Sequence, residues 1–324
     1  METSEIINLM VQKLLELNTK ESNKSIKISA AKDLFFDFLI LKNTNTNTIK
    51  YYKNIFYKLD YYFNSLKIDN TNQINDSFLE SVIADSLNSN LSNNYINKLI
   101  GGTKYFIHTL ADKGVISDYQ FKTSKLQVQE KRLDVISDST LHMILNYVNS
   151  QSLKTNLIVN LLNDTGVRRE ELVNIKLSNL SLDKNSILLD KTKCNRIRLC
   201  FFRDPTKEIL IKYLESYKPK NYLFEKDNSN TPITATSVSK ILEKIKVHLN
   251  LAKLSAHQFR HTFGTRIYSN SQDIELTREL LGHTDYTMTK RYVHHSEDRL
   301  RKKYDMFNSN HIINVNEKKH PNGN

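Results

Sequence analysis

Glycine and proline are scarce in this chain, seven and four in 324 residues. Those are the residues that end helices and make tight turns, so their scarcity favours a helix-rich fold with few hairpins. The apolar pattern agrees. After a polar Asn-Thr stretch at 43–48, Ile49, Tyr52, Phe56, Leu59 and Phe63 recur at helical spacing and predict one buried stripe. Lys50, Asn54, Tyr57, Lys58 and Tyr61 fall on the opposite face. A second helix is predicted from Asn93 to Leu110, with Tyr95, Lys98 and Lys104 among its polar or amphipathic positions. It should stop near Asp112-Lys113-Gly114.

The chain divides by texture into five stretches. Residues 1–24 read as a short helical extension carrying Ile6, Leu9, Met10, Leu14 and Leu15, and 25–116 as a block of amphipathic helices. Residues 117–133 lack a sustained period and read as a linker, the alternative being a poorly patterned strand. Residues 134–307 form a second block and 308–324 a polar tail. In the second block, Ser137-Asp-Ser-Thr opens a helix at Leu141, another runs through Leu157 to Leu162, and a third carries Leu172 and Ile175. Ile187-Leu188-Leu189 and Ile197 to Phe202 flank a polar turn at Lys191 to Asn195, a β-hairpin pattern. Asp204 as cap with Pro205 behind it starts a helix over 206–217, and 235–249 is a further helix. The region 255–307 reads as nearly all helix, with one interruption at Gly282-His283. The fold class expected is mainly α (α+β): a helical N-terminal domain, then a mixed helical domain with a small antiparallel β-sheet.

Composition narrows the partners. Lys and Arg number 47 against 35 Asp and Glu, a net charge of +12, which suits a polyanion because neutralised phosphates release counterions. Charge by itself leaves DNA, RNA and acidic membrane open. No apolar run reaches membrane-spanning length and the N-terminus lacks a cleavable signal pattern, so a cytoplasmic protein is expected. Cys194 and Cys200 are too few for a disulfide framework or a four-ligand zinc site.

Four short segments carry chemistry-bearing residues. They are Asp164-Thr-Gly-Val-Arg168-Arg-Glu-Glu171-Leu, the hairpin turn Lys191-Thr-Lys193-Cys-Asn, His257-Gln-Phe-Arg260-His-Thr-Phe, and Leu280-Leu-Gly-His283 followed by Tyr292. Singly, each has an ordinary structural explanation; an arginine at a helix start or one tyrosine among 16 proves nothing. Together they supply what metal-free phosphoryl transfer needs. Arginine forks match the charge on non-bridging phosphate oxygens. A tyrosine hydroxyl, with an ordinary pKa near about 10, attacks if a base or cationic field helps it. A lysine can protonate the departing sugar oxygen. No carboxylate cluster suited to two metal ions occurs in these segments, so neither a metal nor another cofactor is expected.

Thr-Gly-Val-Arg168-Arg-Glu-Glu171-Leu, Ser-Ala-His257-Gln-Phe-Arg260-His-Thr-Phe-Gly-Thr and Leu-Leu-Gly-His283, with Tyr292 nine residues after His283, resemble the three boxes and the nucleophile of tyrosine recombinases, the phage integrase family. The resemblance covers roughly residues 25–305 and is specific in 164–172 and 255–294. It implies that Arg168 and Arg260 clamp the scissile phosphate, that His257 hydrogen-bonds it and accepts the tyrosine proton, and that His283 holds another oxygen. Glu171 would brace the arginine region. Lys193 is the implied general acid, with Lys191 as rival; the hairpin lacks the family's glycines beside the lysine and the proline after the second strand. Residues 25–116 would be the SAM-like core-binding domain and 134–307 the catalytic domain. Lys50, Asn54, Lys58, Lys98 and Lys104 are then candidate DNA contacts. The implied partners are double-stranded DNA, a homotetramer assembled on it, and room for an accessory DNA-bending protein. A stripe of Leu300, Tyr304 and Phe307 within Ser296 to Phe307 would dock on a neighbouring protomer or pack on its own.

The resemblance implies a site-specific recombinase or integrase working through a 3′-phosphotyrosyl intermediate on Tyr292. A DNA-binding regulator that keeps the scaffold without recombining DNA is the alternative. A type IB topoisomerase shares the tyrosine chemistry, but histidine at 257 and the Leu-Gly-His box favour the recombinase.

Overall fold

The computed structural model describes residues 25–129, 133–190, 197–226 and 229–292. The expected N-terminal extension, Lys191 and Lys193, the helix over Ser296 to Phe307 and the polar tail lie outside the described residues. The chain forms two compact units, one running to residue 130 and the other from 131.

The first unit is helical: α1 Ile28–Leu41, α2 Thr46–Ser65, α3 Asp76–Asn88 and α4 Asn93–Asp112. Asparagine and serine start three of these helices. The side chains of Asn45, Asn75 and Ser92 accept from the backbone N–H of Asn47, Phe78 and Tyr95. Gly114, at φ +70°, turns the chain after α4. The stripe expected on α2 is there, with Phe56, Leu59 and Phe63 buried and Ile49 and Tyr52 half-buried; Ile55 and Tyr62 join it. Phe35, Phe56 and Phe106 meet edge to face at centroid separations of 5.0–5.6 Å, filling the middle of the unit.

Residues 117–129 have no regular secondary structure, but much of this stretch is bonded to the first unit. Asp76, in the first turn of α3, accepts from the Tyr119 hydroxyl at 3.0 Å and from the backbone of Lys122 and Thr123 at 3.2 and 2.8 Å. Asn97 on α4 exchanges two hydrogen bonds with the Leu126 backbone, at 2.7 and 2.8 Å. The Thr123 hydroxyl and backbone bonds hold the Asp76 carboxyl well below the usual carboxylate range.

The second unit contains α5 Asp138–Asn149, α6 Leu153–Thr165, α7 Arg169–Val173, α8 Asp204–Tyr217, α9 Ala235–His248, α10 Ala256–Ser271, α11 Ile274–Leu281 and α12 Tyr286–Lys290. Helix α6 is its axis. Every residue from Asn156 to Thr165 is buried, and α5, α8 and α10 pack around it. A three-stranded antiparallel sheet of β1 Leu180–Ser181, β2 Ser186–Leu189 and β3 Arg198–Phe201 runs in the order β1-β2-β3, with Leu188 paired to Leu199. Burial alternates along β3, so Arg198 and Cys200 face inward. No helix among the described residues is long and apolar enough to cross a membrane.

Three details differ from the sequence expectation. Arg203, not Asp204, occupies the cap of α8, because the chain is still extended there at φ −84°, ψ 162°; Asp204 is the first helical residue. Ile175 lies beyond α7, which ends at Val173. The stretch from 255 breaks twice among the described residues, once at Gly282 and once earlier. Gln272 adopts φ +54° and closes α10, and Asp273 caps α11 by accepting from Glu275 and Leu276 N–H.

Candidate active site

Arg168 sits where α6 gives way to α7. Gly166 ends α6 at φ +58°, and a side chain there would also fall 2.6 Å from Phe263, so the Thr-Gly-Val turn is required twice over. Arg168 is the extended residue capping α7, and Glu171 reaches back to it. The Glu171 carboxylate accepts from the Arg168 backbone N–H and guanidinium, both at 2.8 Å. It accepts at 2.9 and 2.7 Å from Arg198, which projects from β3. Burial alone would raise the Glu171 pKa, but the Arg198 bonds and then Arg168 bring it down to about 2. Glu171 therefore braces the arginine region as expected, and it bridges two guanidiniums rather than one.

Helix α10 contributes His257, Arg260, His261 and Gly264 within two turns. Arg260 is 2% exposed and donates to the carbonyls of Gly166, at 2.8 Å, and Leu281, at 2.5 Å. Those two carbonyls tie the first and third boxes to the second. Burial, then Arg168 and Arg198, lower the Arg260 pKa to about 9, so it stays charged at neutral pH in a cationic surround that an anion would relieve. His257 is exposed and lines one cleft together with Arg168 and Arg260.

His283 and Tyr292 are brought in by α11 and α12. Gly282 ends α11 at φ +63°, where a Cβ would also fall 2.7 Å from Arg198. Its glycine lets β3 and the Leu-Gly-His turn approach. His283 is buried, its Nδ1 2.9 Å from the Thr289 hydroxyl; burial and then Arg260, Arg168 and Arg198 push its pKa down to about 3, so the ring is neutral. Tyr292 is 3% exposed. Its ring lies nearly parallel to His283, at 16° and a 6.2 Å centroid separation, and its hydroxyl is 3.1 Å from Nδ1 of His261. Burial raises the Tyr292 pKa, against the lowering effect of Arg260, Arg291 and Arg168.

Arg168, His257, Arg260, His283 and Tyr292, taken from three separated segments, thus gather at one place in the second unit. Two neighbours were not singled out from the sequence. Arg198 figured there only as part of the second hairpin strand, within Ile197 to Phe202. His261 follows Arg260 directly and lies one turn after His257, a spacing that puts both rings on one helix face.

In the first unit, Lys50, Asn54 and Lys98 are exposed. Lys58 lies over the rings of Tyr61 and Tyr62, at 4.7 and 5.1 Å. The Lys104 ammonium donates to the Thr123 carbonyl at 2.6 Å and lies over the Phe121 ring. It holds the 117–127 stretch in place.

A helical scaffold with a small antiparallel sheet, gathering arginines, imidazoles and a buried tyrosine beside a cleft, presents groups of the kind that phosphate chemistry draws on. The family comparison agrees: residues 134–299 match the model of the phage integrase family, and the chain belongs to that family. Tyrosine recombinase XerC of Bacillus pumilus (strain SAFR-032) is 27% identical over 286 residues, covering 84% of this chain and 93% of that protein. Tyrosine recombinase XerC of Staphylococcus carnosus (strain TM300) is 34% identical over 160 residues, 48% of this chain and 53% of that one. Among solved structures, the XerH site-specific recombinase bound to difH substrate in a pre-cleavage complex shares the fold, with a TM-score of 0.65 at 19% identity over 92% of this chain and 88% of that one.

Proposed function

We propose that this protein is a site-specific DNA recombinase that cuts and rejoins double-stranded DNA through a covalent link on Tyr292. One observation carries the reading: Arg168, His257 and Arg260 line a single cleft, with Tyr292 inside the Coulomb field of both arginines. The two arginines clamp the non-bridging oxygens of the scissile phosphate, and His257 and His283 add hydrogen bonds to it. The Tyr292 oxygen attacks phosphorus, the P–O5′ bond breaks, and the departing oxygen takes a proton from the hairpin lysine, Lys193 or its rival Lys191. A 5′-hydroxyl from a partner strand then attacks the 3′-phosphotyrosyl link. Bond energy is kept in that link, so neither a nucleotide nor a metal is called for.

Exchange between two duplexes uses four such sites, so the working form is a homotetramer on DNA in the cytoplasm. Residues 25–116 are the core-binding domain and 134–307 the catalytic domain. Lys50, Asn54 and Lys98 are free to meet phosphates in the first unit, whereas Lys58 and Lys104 would first have to leave their present partners.

The test is a nicked suicide duplex carrying the sequence that the full-length chain selects from a randomised duplex pool. Wild type should form a covalent protein–DNA adduct and Tyr292→Phe should form none while binding the duplex equally well. Tight selective binding by wild type with no adduct would hand the protein to the regulator alternative.

A further inference from the structure

Two imidazoles stand one turn apart on α10, and they address different groups. His257 and His261 touch at a ring-centroid separation of 4.5 Å with planes at 80°. His257 is exposed in the cleft with Arg168 and Arg260. His261 is half-buried, and its Nδ1 lies 3.1 Å from the Tyr292 hydroxyl. We propose that His261, rather than His257, is the catalytic residue that takes the proton from Tyr292 as its oxygen attacks phosphorus. The proposal rests on the recombinase reading above.

The chemistry balances in both directions. In cleavage the Oη–P bond forms as the P–O5′ bond breaks; the Oη proton passes to His261 Nδ1, and the leaving 5′ oxygen takes a proton from the hairpin lysine. In rejoining, the incoming 5′-hydroxyl returns its proton to that lysine, and the departing tyrosine oxygen recovers its own from His261. A general base must lie within about 2.6–3.2 Å of the proton it takes, directly or through one water, and the contact seen meets the direct form.

The surroundings keep His261 able to accept. Burial first, then His257, Arg291 and Arg260, hold its pKa at about 4, so the ring is neutral at neutral pH and has a lone pair to offer. Asp134 acts the other way, raising the proton affinity of His261. That carboxylate is fixed by Lys253 and by Gln258, whose Nε2 donates at 2.9 Å. A phosphodiester bound between Arg168 and Arg260 adds a second negative charge near the ring, so the base strengthens when substrate is in place. His257 would then be left to bind the phosphate, consistent with the cleft it lines.

Single-turnover adduct formation on the selected nicked duplex decides the matter. His261→Asn keeps an amide close to where Nδ1 sits but cannot take a proton. It should lower the cleavage rate by at least about 100-fold with duplex binding unchanged. The loss should persist on a duplex with sulfur in place of the bridging 5′ oxygen, since a thiolate leaves without an acid. His261→Gln is a second variant in case the first does not fold, with duplex binding as the check on both. Cleavage by either variant at or above the wild-type rate overturns the assignment and makes His261 a latch on a stored tyrosine. A loss erased by the sulfur substrate overturns it too, placing His261 on the leaving-group side. Failure of wild type to form any adduct sinks the recombinase reading and this proposal with it; adduct from wild type, undiminished in the variants, sinks this proposal alone.

Discussion

Glu171 holds two guanidiniums from different elements, Arg168 at the start of α7 and Arg198 on β3. Losing a buried carboxylate of this kind leaves a buried Arg198 and a half-buried Arg168 without their partner, which costs about 3–5 kcal/mol. Its depressed pKa points to a loss of similar size. The folded value of about 2 lies below the ordinary 4.5, a difference equivalent to about 3 kcal/mol of stability. Because the folded pKa is the lower one, that stability is fully present above 4.5 and disappears as pH falls through about 2. Glu171→Gln should therefore be less stable than wild type by about 3 kcal/mol at neutral pH, and the gap should close on acidification. Urea denaturation of both proteins from neutral pH down to about pH 2 measures the gap directly. A gap that stays constant with pH would mean the carboxylate's charge contributes nothing.

At the scale of elements, α10 supplies more of the site than any other element, and Gly264 in its interior shows what packing demands there. A glycine inside a helix is about 1 kcal/mol less favourable than alanine, so Gly264→Ala would ordinarily stabilise the helix. Here an added Cβ would fall 2.7 Å from Tyr292 Cε1 and 2.9 Å from Leu281 Cδ1. The substitution is expected to leave the helix folded, by circular dichroism and thermal melting, while pushing Tyr292 off His261 and cutting adduct formation at least about 10-fold. Unchanged adduct formation would show that the tyrosine has room to give. The same helix shows what could be read beforehand. Arg168, His257, Arg260, His283 and Tyr292 were legible because each sits in a short segment whose residue types and intervals suit one chemistry. His261 was not, because a histidine beside Arg260 has no distinctive interval of its own; only the position of α12 tells which of two neighbouring rings meets the hydroxyl. Arg198 escaped for a similar reason, since its partner Glu171 is 27 residues away. Helix α2 was readable from its stripe, whereas the break at Gln272-Asp273 was not, because a left-handed glutamine carries no glycine signal.

At the scale of the molecule, the net charge of +12 must be converted into particular phosphate contacts before it explains binding. Each lysine that neutralises a phosphate releases counterions, and the slope of log affinity against log salt falls by about 0.9 when that contact is removed. Lys50 and Lys98 are exposed, so each alanine substitution should flatten the slope by about 0.9 on selected and random duplexes alike. Lys104 is expected to behave differently. Its ammonium is bonded to the Thr123 carbonyl, so Lys104→Ala should chiefly loosen the 117–127 stretch, seen as faster amide exchange at Thr123 and Leu126, whose N–H groups are bonded to Asp76 and Asn97. Fluorescence anisotropy across a salt series, paired with hydrogen exchange, separates the two effects. A slope change at Lys104 equal to those at Lys50 and Lys98, with exchange unaltered, would place its ammonium on DNA instead of on its own chain.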